Sequence, residues 1–166
     1  SYDAGAWHII AINSNCAAVG GCGAGSAQEQ WLRADLAAHP AACTLAYWHH
    51  PRSSSGSVHG NDGGMQPIWQ ALYDFDADLV LNGHEHNYER FAPLNPAGNR
   101  ARQGIREFVV GTGGGGGLYD LGSGIRGSQR RIDNRFGVLR MGLHARSYEW
   151  RFVAVGRAVL DRGRRA

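Results

Sequence analysis

The chain has 166 residues, 43% apolar and 19% charged, with a formal net charge of +3. That length suits about one domain and that composition excludes disorder, while no apolar run approaches the ~18 residues of a membrane-spanning helix, so no membrane partner is expected. All 17 basic residues are arginine, which excludes lysine chemistry such as a Schiff base, and so small a net charge does not mark a nucleic-acid partner.

In chain order, residues 7 to 13 (W-H-I-I-A-I-N) are apolar and β-branched and read as a buried strand. A Gly/Ala/Ser loop follows to about residue 25. Ser26-Ala27-Gln28-Glu29 is a capping box that starts a helix. Trp31, Leu32 and Leu36 are expected on its buried face, and Pro40 stops it near His39. C-T-L-A-Y-W (43 to 48) is a second strand. After a Ser/Gly loop (53 to 64), Pro67 suits the first turn of a second helix, whose inward stripe is Met65, Ile68, Trp69 and Leu72. D-L-V-L-N (78 to 82) is a third strand, apolar enough to be buried on both faces. A loop with Pro93 and Pro96 leads to a fourth, E-F-V-V-G (107 to 111). Residues 136 to 143 and 148 to 155 alternate as a hairpin. The basic tail (Arg157, Arg162, Arg164, Arg165) reads as a solvated terminus.

Helix crossovers between the first three strands and antiparallel pairing of the late ones predict an α/β fold, a mixed β-sheet layered with helices. No repeat or domain boundary is visible, so residues 1 to 166 form a single domain. The chain opens on Ser1 without a methionine, so it is expected to be a piece of something longer or a processed product.

The three cysteines, Cys16, Cys22 and Cys43, form no C-x-x-C pair, which argues against a zinc ribbon. They fit either three free thiols or one disulfide with a leftover. Cys16 and Cys22 bracket a turn-rich loop where a staple would replace missing core. The reading taken is a secreted or extracytoplasmic disulfide protein, with the pairing open among three options.

Five of the eight histidines (His49, His50, His59, His84 and His86) follow the C-terminal ends of predicted strands, the edge where open α/β sheets build their sites. The i, i+2 spacing of His84 and His86, in extended chain, points both imidazoles to one side. Neutral imidazole is the commonest metal ligand, and two neighbouring strand ends can converge on one cation. His8, His39 and His144 read as ordinary satisfied polar groups, and His50 and His59 stand between the two readings. Glu85 points away and is structural, and Tyr88 and Arg90 pack behind the site.

A-Y-W-H-H-P, followed about 35 residues later by V-L-N-G-H-E-H-N-Y-E-R, resembles the last two metal-binding blocks of the calcineurin-like metallophosphoesterases. Within them it resembles the purple acid phosphatase branch, whose pattern is G-H-x-H-x-Y-E-R. The likeness runs over about residues 7 to 155. It implies the C-terminal half of a four-layer αββα sandwich. It implies His49 and His84 as ligands of one metal and His86 as ligand of the other. His59 would contact the substrate phosphate or donate a proton, and His50, at a position that varies in the family, joins it among the catalytic candidates. The stretch F-V-V-G-T-G-G is similar to the loop after the last block, and the amides of Gly113 and Gly114 would meet the phosphate as part of an anion nest.

The resemblance further implies two divalent or trivalent metals (zinc, iron or manganese) whose hydroxide attacks the phosphorus of a small phosphoester substrate, with a histidine protonating the leaving alkoxide. The family's first three blocks, which carry its Asp and Asn ligands, have no counterpart here. At most one metal is therefore expected in this chain alone, and the missing half would come from another segment or chain. The alternatives are a single-metal, three-histidine hydrolase and a non-catalytic module that binds metal or phosphate.

Overall fold

The first apolar run forms β2 (Trp7–Ala11), ending two residues earlier than its hydrophobicity suggests. A short strand before it, β1 (Tyr2–Ala4), pairs antiparallel with β2, and its three exposed residues give no apolar signal. The computed structural model describes all residues, 1–166. Helix α1 (Ala27–Ala38) starts at the expected cap: the Ser26 hydroxyl accepts from the Glu29 amide, while the Glu29 carboxylate reaches back one residue further than a capping box does, to the Gly25 amide. Its buried stripe is Glu29, Leu32 and Leu36. Trp31, expected with them, is 42% exposed, because each residue turns the helix by about 100° and carries it past that stripe.

β3 (Cys43–Tyr47), α2 (Gln66–Asp74) and β4 (Leu79–Asn82) follow the sequence reading, with Pro67 in the first turn of α2 and Ile68, Trp69 and Leu72 buried. Next come β5 (Tyr88–Phe91), β6 (Arg106–Val110) and β7 (Ser128–Ile132). The chain closes with β8 (Gly137–His144), β9 (Ser147–Ala154) and β10 (Val159–Arg165). The larger sheet has the order β1-β2-β3-β4-β6-β5-β7, and β10-β9-β8 form a smaller one. β2, β3, β4 and β6 are parallel, and the remaining pairings are antiparallel.

Strand alternation divides the core in two. Ile10, Ala46, Val80 and Val109 face the helices with Leu32, Leu36, Trp69 and Leu72. Ile9, Leu45, Leu79 and Phe108 face the small sheet, where Tyr148, Trp150 and Phe152 of β9 cover them. The chain thus builds three layers, α, β and β. The helices cover one face of the larger sheet and the small sheet covers the other.

The basic tail is solvated, with Arg157, Arg162 and Arg164 exposed, and most of it is the strand β10. Its Asp161 is the pin between the sheets: it accepts from Tyr88 Oη and Arg90 Nε, both 2.7 Å, and from Trp150 Nε1, 3.1 Å. Cys16 and Cys22 form the disulfide, and Cys43 is free and buried. Closing so short a loop contributes about 2 kcal/mol in the chain-entropy account.

Candidate metal centre

β3 and β4 run parallel, so their C-terminal ends open on the same edge. Past β3 the chain bends at His49 and His50, and the Gly83 amide donates to the His49 carbonyl, carrying the pairing past both strands. Beyond Gly83 the chain bends sharply. His84 takes a left-handed backbone, φ +63°, which strains a non-glycine residue.

That bend places His84 against three other imidazoles. Its Nδ1 lies 3.0 Å from His49 Nε2. Its ring centroid is 4.8 Å from that of His49, 4.4 Å from that of His50 and 4.0 Å from that of His59. Ring nitrogens of His49, His50 and His84 all lie within 4.8 Å of one another. Two ligands of one tetrahedral zinc stand about 3.3 Å apart, so this spacing suits a single ion. Burial, and after it the neighbouring imidazoles, pull His49 and His84 below the usual histidine range. Both shifts favour the neutral imidazole, the form that ligates a metal, and an ion there would replace the proton shared between His84 Nδ1 and His49 Nε2.

His86 stands apart. Residues 83–87 are not extended, and the bend separates the rings that an i, i+2 strand would align. His86 stacks on Tyr119 at 4.1 Å, and its Nδ1 bonds the Gly117 carbonyl at 2.8 Å. The glycine tract folds over this ring, and a Cβ on Gly116 would meet it at 3.3 Å. Gly113 and Gly114 are exposed, and a Cβ built on either would meet nothing within 4 Å.

Several supports carry no motif. The buried Ser14, just past β2, bonds His50 Nδ1 at 2.8 Å and accepts from its amide. Glu85 is wholly buried and accepts from the amides of His59 and Gly60. Glu89 accepts from the Ser55 amide, and Glu107 from the Ser53 amide. Three buried carboxylates thus tether the loop that carries His59. Position in the motif marks Glu85 and Glu89; nothing local marks Ser14 or Tyr119.

His50, His59, His84 and Asp62 line an open cleft of about 380 Å³. A larger cavity, about 1230 Å³, lies at the opposite end of the sheet among Arg102, Arg106, Arg164 and Arg165, and contains none of these histidines. The donor set fits one cation of borderline softness, for which imidazole is the suited ligand. It does not fit two held close together, since no carboxylate stands between two clusters to offset their repulsion: Glu85, Glu89 and Glu107 are turned to amides, and Asp62 accepts from Gly64.

No family model matches the chain. Purple acid phosphatase 15 of Arabidopsis thaliana is 32% identical over 95 residues, 54% of this chain and 17% of that protein. An uncharacterized protein of Mycobacterium tuberculosis is 32% identical over 110 residues, 58% of this chain and 21% of its own. The chain therefore spans about a fifth of the length of the curated relatives it matches. Among solved structures, purple acid phosphatase PPD1 from yellow lupin (Lupinus luteus) seeds superposes with a TM-score of 0.83 at 18% identity, over 98% of this chain and 31% of that one. GAP50, the anchor in the inner membrane complex of Plasmodium, superposes with a TM-score of 0.70 at 16% identity, over 95% and 48%. In sequence over half its length and in fold over nearly all of it, the chain is similar to the purple acid phosphatases among the calcineurin-like metallophosphoesterases.

Proposed function

We propose that residues 1–166 are one part of a metallophosphoesterase domain, secreted or extracytoplasmic, and supply half of a metal-dependent phosphoester hydrolase site. The observation that carries this reading is the convergence of His49, His50, His59 and His84 at one sheet edge. His49 and His84 would hold a cation, with His86 turned to the other side for a second. A metal held there supplies Lewis-acid polarisation of the phosphoryl oxygens. The chain's own residues do the rest. His59, exposed on a tethered loop and stacked on His84, stands where it can donate a proton to a departing alkoxide. His50, whose Nδ1 bonds Ser14, lines the same cleft and would meet the substrate there. The exposed amides from Gly113 onward can meet an anion. The disulfide supports the extracytoplasmic assignment, and a further segment or chain would bring the carboxylate ligands of a second metal.

A second reading rests on one observation: His50, rather than His86, completes the group with His49 and His84. Three neutral imidazoles around one zinc with an open position make a single-metal hydrolase.

Metal analysis and p-nitrophenyl phosphate hydrolysis test both. Hydrolysis by the 166-residue chain with one zinc, lost in His50→Ala but kept in His86→Ala, favours the single-metal site. Activity only when the carboxylate-bearing segment is present, with about two metals lost in His84→Ala, favours the shared site. A folded chain that binds no metal, and an intact protein whose hydrolysis survives His84→Ala, would overturn the proposal.

A further inference from the structure

A second histidine cluster lies at the other end of the larger sheet. His8 on β2 is level with Thr44 of β3, whereas His49 follows the last residue of that strand. His8 is 1% exposed. Its Nδ1 lies 2.7 Å from Asp3 Oδ1 on β1, and its Nε2 lies 2.8 Å from Asp35 Oδ2 on α1. The same carboxylate has a second claimant: His39 Nδ1 is 3.4 Å from Asp35 Oδ1 and 2.9 Å from the Asp35 carbonyl. Ser1 Oγ donates to Asp35 Oδ1 at 2.6 Å. The two imidazoles stack at 4.9 Å, their planes 12° apart.

We infer that His8 Nε2, the Asp35 carboxylate and His39 Nδ1 bind a divalent cation of the zinc type, separate from the candidate metal centre. Three geometric facts support it. Asp35 and His39 stand i, i+4 at the end of α1, the spacing that puts two donors on one face of a helix. The donor-to-donor distances of 2.8 and 3.4 Å bracket the ~3.3 Å between ligands of a tetrahedral zinc. Asp3, on the far nitrogen of His8, completes a carboxylate–histidine–metal arrangement, the usual second partner of a ligating histidine. Two carboxylates and two neutral imidazoles also balance a charge of +2, which the other cluster cannot do.

Binding replaces the proton shared between His8 Nε2 and Asp35. It also requires the His39 ring to leave its stack so that an in-plane lone pair meets the ion. His39 is 48% exposed and caps the helix, so that rotation displaces no core. Water fills the open fourth position. The ion would join β1, β2 and α1 at one point.

Cobalt(II) titration of the metal-free 166-residue chain tests this. In a His49→Ala/His84→Ala background, one equivalent should bind with the intense visible absorption of four-coordinate cobalt. Adding His39→Ala should abolish that band, and adding Asp3→Asn should weaken binding about 10- to 100-fold. If the double variant fails to fold by circular dichroism, the comparison is made with His49 and His84 intact, where His39→Ala should lower the stoichiometry by one. A folded double variant that binds no cobalt, or binding indifferent to His39→Ala in either background, overturns the inference.

Discussion

The Glu85 carboxylate holds the His59 backbone: its Oε1 accepts from the amides of His59 and Gly60 at 2.5 and 2.6 Å. Glu85 follows His84 directly, so one bend of chain both presents an imidazole to the cleft and anchors the loop that brings another against it. Gly56 leaves the room this needs, since a Cβ there would fall 2.1 Å from the Glu85 carboxyl carbon. Glu85→Ala removes the acceptor and strands two part-buried amides, each costing about 1–3 kcal/mol. The expected result is a loss of about 2–6 kcal/mol, read as a melting point lower by roughly 2–4 °C per kcal/mol at this chain length. Hydrolysis should fall while metal content at His49 and His84 holds. Unchanged stability would show that the loop needs no tether.

Glu107 anchors the same loop at Ser53 but differs in charge state. It is wholly buried and one of its oxygens has no partner. Burial pushes its carboxyl up to about 7, against the pull of Ser53 and Arg52. The unfolded chain releases that proton near 4.5. Between those values the folded state binds more protons than the unfolded one, so stability falls as pH rises from about 4.5 to about 7 and then levels. Glu107→Gln should flatten that slope and stabilise the chain relative to wild type by about 3 kcal/mol above neutrality, with little difference below pH 4. Urea unfolding at pH 4, 6 and 8 measures it; a constant difference across the three removes Glu107 as the source.

Much of this was legible in the sequence, and the remainder was not for identifiable reasons. β2, β3, β4 and β6 announce themselves as apolar runs, and Ser26 and Glu29 announce the start of α1, because those signals are local. β5 and β7 escape because Y-E-R-F and S-Q-R-R-I are dominated by polar residues that pair with each other and with β6. β10 hides in an arginine-rich tail because its anchor, Asp161, is held by Tyr88 and Arg90, more than 70 positions away along the chain, as well as by Trp150 on the neighbouring strand. The histidines of the cleft were legible as strand-end residues. The divergence of His86 from His84 was not, since it depends on one positive φ at His84 and on Tyr119, 33 positions beyond His86. Tyr88 and Arg90 pack behind the site as expected, and what the sequence did not name is their partner: Asp161, at the joint between the sheets.

That joint gives a prediction with the opposite pH sense. Burial pushes the Asp161 carboxyl up, but Arg90, Tyr88 and Trp150 together hold it below the usual aspartate value. Its contribution is therefore present above about pH 4 and is lost as pH falls further. Asp161→Ala leaves the Arg90 guanidinium, only 14% exposed, without its carboxylate, at a cost of about 3–5 kcal/mol for a buried pair broken on one side. The near-ultraviolet signal of Trp150 should weaken, and the stability gap to wild type should narrow on acidification from pH 6 to pH 3. A gap that is constant with pH would mean that packing, not charge, joins the sheets.

The left-handed backbone of His84 separates stability from chemistry. An L-residue in that region costs about 1–2 kcal/mol, and glycine adopts it freely, giving back about 0.5–1 kcal/mol in unfolded-chain entropy. The ring that would be lost is part-exposed and packs on other imidazoles rather than in the core, so little packing energy offsets the relief of strain. His84→Gly should therefore be more stable than wild type by about 0.5–1 kcal/mol in the metal-free chain, while zinc affinity falls by at least about 10-fold. His84→Ala loses the same nitrogen but keeps the strain, and should be less stable than His84→Gly by a similar margin. If the two variants unfold at the same denaturant concentration, the bend is unstrained. If both are far less stable than wild type, the imidazole packs as core. The predicted order places the strain in the backbone at the His84 bend, which brings its ring against those of His49, His50 and His59.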